Sequence, residues 1–497
     1  MFYIGLDIGS SSIKASLVAT ETGRAVSTIQ EPAQEMPILN PKKDWAEQNP
    51  EVWWQHVCTA SKRLLAENHI KPGQVAGIGI AYQMHGLVLV DANGKVIRNS
   101  IIWCDSRAVD LGEEAFAKIG KADCMKHLLN SPANFTASKL AWVKRNEPEN
   151  YGKIYKFMLP GDFITYKFSN EFTTTISGLS EGILWDFRQS EPAKMVMDHF
   201  QIDKNLLPDL VDTFGVQAKV SAKGAKESGL QEGTPILYRA GDQPNNALSL
   251  NVSKPGEVAT TGGTSGVLYA ITESLKATEG VKLNNFAHVN HGPNTPRIGK
   301  LLCINGAGIL YRWLKDTLHL EENSYSEMNA LAAQVPVGSN KLQLIPFGNG
   351  AERMFDNRII GSHLCNLNLN QHARGDVVRA ALEGIAFAFV YGMEILRKDN
   401  TAISVLRAGN DNLFRSSIFS ETIATLIGQE IEIYNSTGAI GAARAAAAYR
   451  DSFDLGAITS QNDYLKTYEP LKAKSSYLEA YTNWKETLNT IIQQQKT

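Results

Sequence analysis

The chain has 497 residues, 43% hydrophobic and 20% charged, the make-up of a folded globular protein with room for two or three domains. Lys and Arg (49) nearly balance Asp and Glu (51), for a formal net charge of −2, so nothing calls for a nucleic acid or an anionic membrane as partner. The opening MFYIGLDIG shows no secretory leader pattern, and the most apolar run, 380–396, carries Glu383 and Glu394 and is too short for a bilayer; with five scattered cysteines and no CxxC, these features predict a cytoplasmic protein whose cysteines are small core residues rather than disulfides or zinc ligands.

An antiparallel meander is predicted at the start. A strand over 2–8 is followed by a second in which Ile13, Ala15 and Leu17 alternate with Lys14 and Ser16; a turn at Thr22-Gly23 then leads to a third strand over 24–30. Asn49 as cap, Pro50 at the first helical position and Glu51 in the first turn open a helix to about residue 69. A buried strand over 75–82 ends at Gln83-Met84-His85-Gly86. A strand over 101–104 ends at Asp105-Ser106-Arg107 before a helix. A strand over 235–240 runs through Gly241 into Asp242-Gln243-Pro244, where a helix starts. In the second half, strands over 256–260 and 267–271 flank the turn TGGTSG (261–266), and Gly306-Ala307-Gly308 precedes a helix over 309–314. A strand over 403–406 leads through Ala408-Gly409-Asn410-Asp411-Asn412 to a helix over 414–427. The alternation of strand-rich and helix-rich stretches predicts an α/β architecture.

The opening turn Asp7-Ile8-Gly9-Ser10-Ser11-Ser12 and the turn at 261–266 are two similar strand–turn–strand units, one beginning each half of the chain. They predict two related domains, 1–246 and 247–497, facing each other across a cleft. A tight Gly/Ser/Thr turn gathers backbone N–H groups and hydroxyls at one point, as phosphate oxygens require, so Ser10, Ser11, Gly263 and Thr264 are candidate phosphate contacts; the plainer reading is two hairpin turns. GxxxxGK[ST], HRD and DFG are all absent, which excludes P-loop and protein-kinase sites. Asp7 is placed to hold Mg²⁺ or to cap its own turn. Asp242, at the carboxyl end of a strand, is placed to take a hydroxyl proton during phosphoryl transfer or to cap the helix after it. Met84, His85, Trp103, Asp105 and Arg107 stand at two further strand ends and together offer a polyol both hydrogen bonds and an apolar wall. Gly308, Gly409 and Asn410 lie in strand-to-helix turns that suit the approach of a nucleotide.

Taken in order, DIGSSSIK (7–14), WAEQNPEVWW (45–54), QMHG (83–86), WCDSR (103–107), FTASKLAWVKRNEPE (135–149), AGDQ (240–243), GGTSG (262–266), GNGAERMFDNR (348–358), DVVRAALEG (376–384) and AGNDN (408–412) resemble the FGGY carbohydrate kinases, most closely their xylulokinase branch, to which QMHG points. The resemblance covers nearly the whole chain. It implies two actin-like, RNase H-like domains closing on a cleft, and transfer of the ATP γ-phosphate to the 5-hydroxyl of D-xylulose with Mg²⁺. By position it implies Asp242 as general base, Met84 and His85 as the sugar pair, and Gln243 in the loop beside the sugar. Asp7 is implied as the Mg²⁺-side carboxylate, Thr264 and its neighbours as the phosphate turn, Gly308 as a nucleotide contact, and Gly409 with Asn410 as the adenine loop. The alternatives are a kinase for another ketopentose or polyol, an actin-like ATPase without a sugar substrate, and a sugar-binding regulator, which would have no need of a base at Asp242. The partner implied is a small sugar; the sequence is silent on assembly, with a homodimer left open.

Overall fold

The computed structural model describes residues 1–279, 281–451 and 454–494. The predicted opening meander is present as the strands Phe2–Ile8, Ile13–Ala19 and Ala25–Glu31, paired antiparallel in that order. Val75–Tyr82, buried at all eight positions, joins Phe2–Ile8 in parallel, and Pro235–Gly241 joins it in turn; Phe214–Lys219 closes that side as an antiparallel edge. The helix Pro50–Glu67 covers one face. Asn49 caps it by accepting from the Glu51 N–H, and Trp53, Val57, Ala60 and Leu64 recur at helical spacing on its buried side.

The second half repeats this order. Glu257–Gly262, Gly266–Thr272 and Ile298–Ile304 form the antiparallel meander, Val405–Gly409 and Ile431–Tyr434 add in parallel, and Tyr464–Tyr468 is the antiparallel edge. The extra strand Asn284–Ala287 lies on the far side of the meander. Two sheets with the same spatial order of meander, parallel strands and antiparallel edge make the internal repeat seen at the two Gly/Ser turns a property of the fold, although the edge strand precedes its neighbour in the chain in the first sheet and follows it in the second.

The lobes are joined by exchange. The alanine-rich helix Gly438–Asp451, although it follows a strand of the second sheet, packs on Phe2–Ile8 and Val75–Tyr82 of the first. Two glycines allow this: a Cβ on Gly5 would stand 1.8 Å from the Ala439 carbonyl oxygen, and one on Gly79 1.9 Å from that of Ala442. Its counterpart Asp242–Ser249 follows a strand of the first sheet and packs against both Gly438–Asp451 and the strands Glu257–Gly262 and Gly266–Thr272 of the second. A division after residue 246 therefore falls inside a helix that touches both sheets. The two halves also meet where Ser177 Oγ donates to the Ala287 carbonyl and the Ala287 N–H donates to Ser180 Oγ, at 3.3 and 2.9 Å.

The apolar run at 380–396 lies in the 25-residue helix Arg374–Lys398 at the centre of the second lobe. Its two acids are partnered there: Glu383 accepts from Arg379, and Glu394 from the Tyr481 hydroxyl. Among the described residues, no helix is long and apolar enough to cross a membrane.

Several predicted boundaries move. The strand expected over 101–104 is only Ser100–Ile101, because the chain turns at Trp103 and Cys104 into a bend that Asp105 holds. The strand expected over 403–406 runs Val405–Gly409, and the helix expected from 414 begins as a 3₁₀ turn at Asn412–Arg415 before Ser416 caps Ser417–Ile427. Of the five cysteines expected in the core, only Cys124 is buried, and Cys104 is exposed in that bend.

Candidate active site

The carboxyl ends of Val75–Tyr82 and Pro235–Gly241, neighbours in the first sheet, bring two of the predicted segments together. Met84 packs on the second strand end: a Cβ on Gly241 would stand 2.6 Å from Met84 Cγ and 3.2 Å from Glu181 Oε2. Gly241 is thus the residue that lets Met84 reach the base of Asp242. His85 follows in the left-handed region with φ +62°, its ring 4.7 Å from that of Phe135 and 5.2 Å from that of Phe286, so residues of both halves wall it in.

Asp242 is the first residue of the helix Asp242–Ser249, where the N-terminal dipole favours a carboxylate. Burial, and secondarily the negative Asp7 nearby, push its carboxyl up to about 7 against some relief from hydrogen bonding by Gln243. Asp7 is raised in its turn by burial, with Lys14 pulling the other way. Asp7 Oδ2 and Asn246 Oδ1 converge on Gly438, where a Cβ would sit 2.7 and 2.9 Å from them. That carboxylate-plus-amide pair is an all-oxygen donor set. It fits Mg²⁺, which takes one or two carboxylates and fills its other positions from water and phosphate.

Trp103 is 52% exposed, and its indole N–H donates to Ser10 Oγ at 3.4 Å, which ties the first Gly/Ser turn to the aromatic wall. Ser10 also accepts Gln48 Nε2 on its carbonyl, and the Ser11 carbonyl accepts the Met36 N–H. Asp105, expected among the sugar contacts, is not brought to the cleft. It is fully buried, with Oδ2 accepting the Ala46 N–H and both oxygens taken by Arg107. Arg107 is equally committed, pairing with Glu47 and lying over the Trp45 ring at 3.8 Å. This pair holds the bend that carries Trp103, and leaves no free oxygen for a ligand.

Of the residues expected on the nucleotide side, Gly263, Thr264 and Gly308 come together in the second lobe. The N–H groups of Gly308 and Ile309 donate to the carbonyls of Gly263 and Thr264 at 3.1 and 3.0 Å, so the helix Gly308–Leu318 starts directly on the Gly/Ser turn. Gly308 must be small, since a Cβ there would lie 2.2 Å from the Gly263 oxygen. Gly263, Thr264 and Gly308 line a cavity of about 630 Å³ together with Tyr311, Tyr325 and Arg415, a volume suited to a nucleotide. Gly409 and Asn410 are not part of that lining. The Asn410 N–H donates to the Tyr434 carbonyl, its own carbonyl accepts from Arg415, and the wall at this end is built by Leu413 and 415–418 instead.

Three groups at the site carry no local sequence signal of their role. Lys139, fully buried within the FTASKLAW segment, donates to the carbonyls of His85 and Ile102 at 2.9 Å each, and burial pushes its ammonium down to about 7. Glu181 is buried against Tyr82 and His85 and is held well above the usual carboxylate range, chiefly by that burial. Glu352 accepts the N–H groups of Asn305 and Gly306 just before the Gly308 helix, and burial raises it to about 7. Each lies far in sequence from what it supports, and only Glu352 and Lys139 stand in segments, GNGAER and FTASKLAW, that carry the family resemblance.

The chain matches the model of the FGGY family of carbohydrate kinases, N-terminal domain, over residues 2–249, and that of the C-terminal domain over 258–449. It is 26% identical to the xylulose kinase of Escherichia coli (strain K12) over 450 residues, 90% of this chain and 88% of the relative. It is likewise 26% identical to the xylulose kinase of Haemophilus influenzae, over 97% of this chain and 98% of the relative. Its fold superposes on that of the xylulose kinase from Rhodospirillum rubrum with a TM-score of 0.89 at 24% identity, covering 99% of each chain. It superposes equally well on the Plasmodium falciparum glycerol kinase with ADP, at 0.88 and 19% identity over 99% of this chain and 98% of that one. The repeated sheets are those of the actin-like fold, and with the two family models spanning most of its length, the chain belongs to the FGGY family of carbohydrate kinases, enzymes that phosphorylate a sugar.

Proposed function

We propose that the chain transfers the γ-phosphoryl group of ATP to the 5-hydroxyl of D-xylulose, in pentose catabolism, with Asp242 as general base. The observation that carries the reading is Asp242 itself: a carboxyl raised to about 7, at a strand end, against the Met84–His85 turn. An Asp Oδ of ordinary acidity is a feeble base at neutral pH; one raised this far both exists as carboxylate and takes a proton readily. In the reaction Asp242 accepts the hydroxyl proton as the sugar oxygen bonds to phosphorus and the β–γ bridge bond breaks, leaving ADP. Met84, His85, Trp103 and Gln243 orient the sugar so that one hydroxyl meets the carboxylate. Ser10, Gly263, Thr264 and Gly308 approach the phosphates through hydroxyls and backbone N–H groups. Mg²⁺, when bound with the nucleotide, supplies positive charge to the phosphate oxygens, and Asp7 with Asn246 is the pair that holds it.

The choice of D-xylulose is supported by the QMHG segment at the sugar end and by relatives that carry the name xylulose kinase. It is tested by coupled ADP release with Mg-ATP against D-xylulose, D- and L-ribulose, L-xylulose, glycerol, gluconate and no sugar. Turnover highest with D-xylulose is the expected result. Highest turnover with another sugar reassigns the substrate, and ADP release indifferent to all of them removes the reading.

A further inference from the structure

At His85 every polar atom but one is taken. The backbone N–H donates to Glu181 Oε2 at 3.2 Å, the backbone carbonyl accepts from Lys139 Nζ at 2.9 Å, and ring Nδ1 stands 2.9 Å from the backbone carbonyl oxygen of Glu181. A carbonyl oxygen only accepts, so Nδ1 carries a ring hydrogen, and in the uncharged imidazole Nε2 is left with a bare lone pair. Among the described residues nothing pairs with Nε2, and the side chain keeps 14% of its surface open between the rings of Phe135 and Phe286.

The residues that hold this arrangement come from two separate short helices. Glu181 ends Ile176–Glu181 and Lys139 lies in Thr136–Asn146; both are buried to within 1%. A non-glycine residue at φ +62° persists only where its surroundings over-determine it, and here they do so from both sides of the peptide. Lys139 also donates to the Ile102 carbonyl, one residue before Trp103, so the same ammonium spaces the histidine turn from the aromatic wall.

We propose that His85 meets the substrate as a hydrogen-bond acceptor through Nε2 alone, and that Glu181 and Lys139 are positioning residues that hold its turn for that contact. The partner it fits is a hydroxyl group rather than a carbonyl, since two acceptors facing each other repel. Burial agrees with this, pushing the imidazole down to about 3 with Lys139 and Arg353 adding to the effect, so the ring stays uncharged at working pH. The identity of the ligand as a sugar rests on the function proposed above; the tautomer does not.

Nitrogen-15 spectra of the histidine-labelled full chain, with the His85 signal located by its loss in His85→Asn, read the tautomer directly. A protonated Nδ1 and bare Nε2, unchanged down to about pH 5, is expected, and a protonated Nε2 or a ring that titrates near its ordinary value overturns the proposal. In the kinetic arm, Glu181→Leu and Lys139→Met are expected to raise the sugar KM at least about tenfold while the ATP KM stays within about twofold. Glu181→Gln keeps an oxygen for the His85 N–H and is expected to restore the sugar KM to within about threefold of the parent. A sugar KM untouched by the first two, or an ATP KM that moves in step with it, overturns the positioning role. If no sugar is turned over by the parent chain, the kinase reading falls and takes the hydroxyl partner with it, whereas the spectrum still decides the tautomer.

Discussion

Asp242 shows how much a single residue owes to its surroundings. Replaced by Ala, it leaves the sugar contacts standing, so sugar binding measured by titration calorimetry should persist while turnover falls by about 10²–10⁴-fold; turnover within tenfold of the parent would assign the base elsewhere. With its carboxyl raised to about 7, the working form is the ionised one. The kcat/KM profile should therefore be level above that value and fall about tenfold per pH unit below it. The same shift has a cost in stability. The folded state keeps a proton on Asp242 that the unfolded chain releases near 3.8, so its contribution is present at low pH and lost as pH rises through about 7. Asp242→Asn removes the buried charge and should raise the thermal midpoint at pH 8, with little change below pH 4. By itself in the sequence Asp242 reads more readily as a helix cap than as a base; the desolvation and the nearby Asp7 that support the base are supplied only by the folded chain. Asp105 goes the other way, a plausible ligand by spacing that the fold commits to Arg107.

The elements around the site work through close backbone approach. Gly308→Val would drive a side chain into the Gly263 carbonyl and displace the turn proposed to hold the phosphates. The expected outcome is an ATP KM raised by about tenfold or more with sugar affinity unchanged, checked by initial rates with each substrate varied in turn. Gly79→Ala meets the Ala442 carbonyl, a backbone atom with no freedom to step aside, and should destabilise the chain by about 1–3 kcal/mol in urea denaturation. Periodicity and turn chemistry made most of these elements legible: the opening meander, the helix behind Asn49 and the buried strand Val75–Tyr82 appear close to their expected bounds. The misses fall where tertiary contacts override local preference. The residues Trp103 and Cys104 read as strand by their apolar character, yet the buried Asp105–Arg107 pair and the Ala46 N–H pull them into a bend.

Across the whole molecule, two sheets with a shared spatial strand order are joined by two helices that each pack beyond their own sheet. Such a pair is a natural pivot: the residues proposed for the sugar lie in the first half, and those proposed for the phosphates are divided between Ser10 in the first and Gly263, Thr264 and Gly308 in the second. Closure on substrate is expected, since the γ-phosphate must be kept from water; the radius of gyration from X-ray scattering should fall when a sugar and a non-hydrolysable ATP analogue are both present, and identical curves would argue for a preformed site. The sequence by itself determined the α/β class, the repeat of a Gly/Ser turn at the head of each half, and the segments that carry Asp7, Met84-His85, Asp242, Thr264 and Gly308, because these are local signals of period, turn type and motif. The tertiary structure alone decided that the helix Gly438–Asp451 belongs against the first sheet, that Asp105 is structural, and that Lys139, Glu181 and Glu352 stand behind the site. The reason is physical: burial, pKa and the partners of a backbone carbonyl are set by groups tens to hundreds of residues away, and no stretch of sequence holds both members of such a pair.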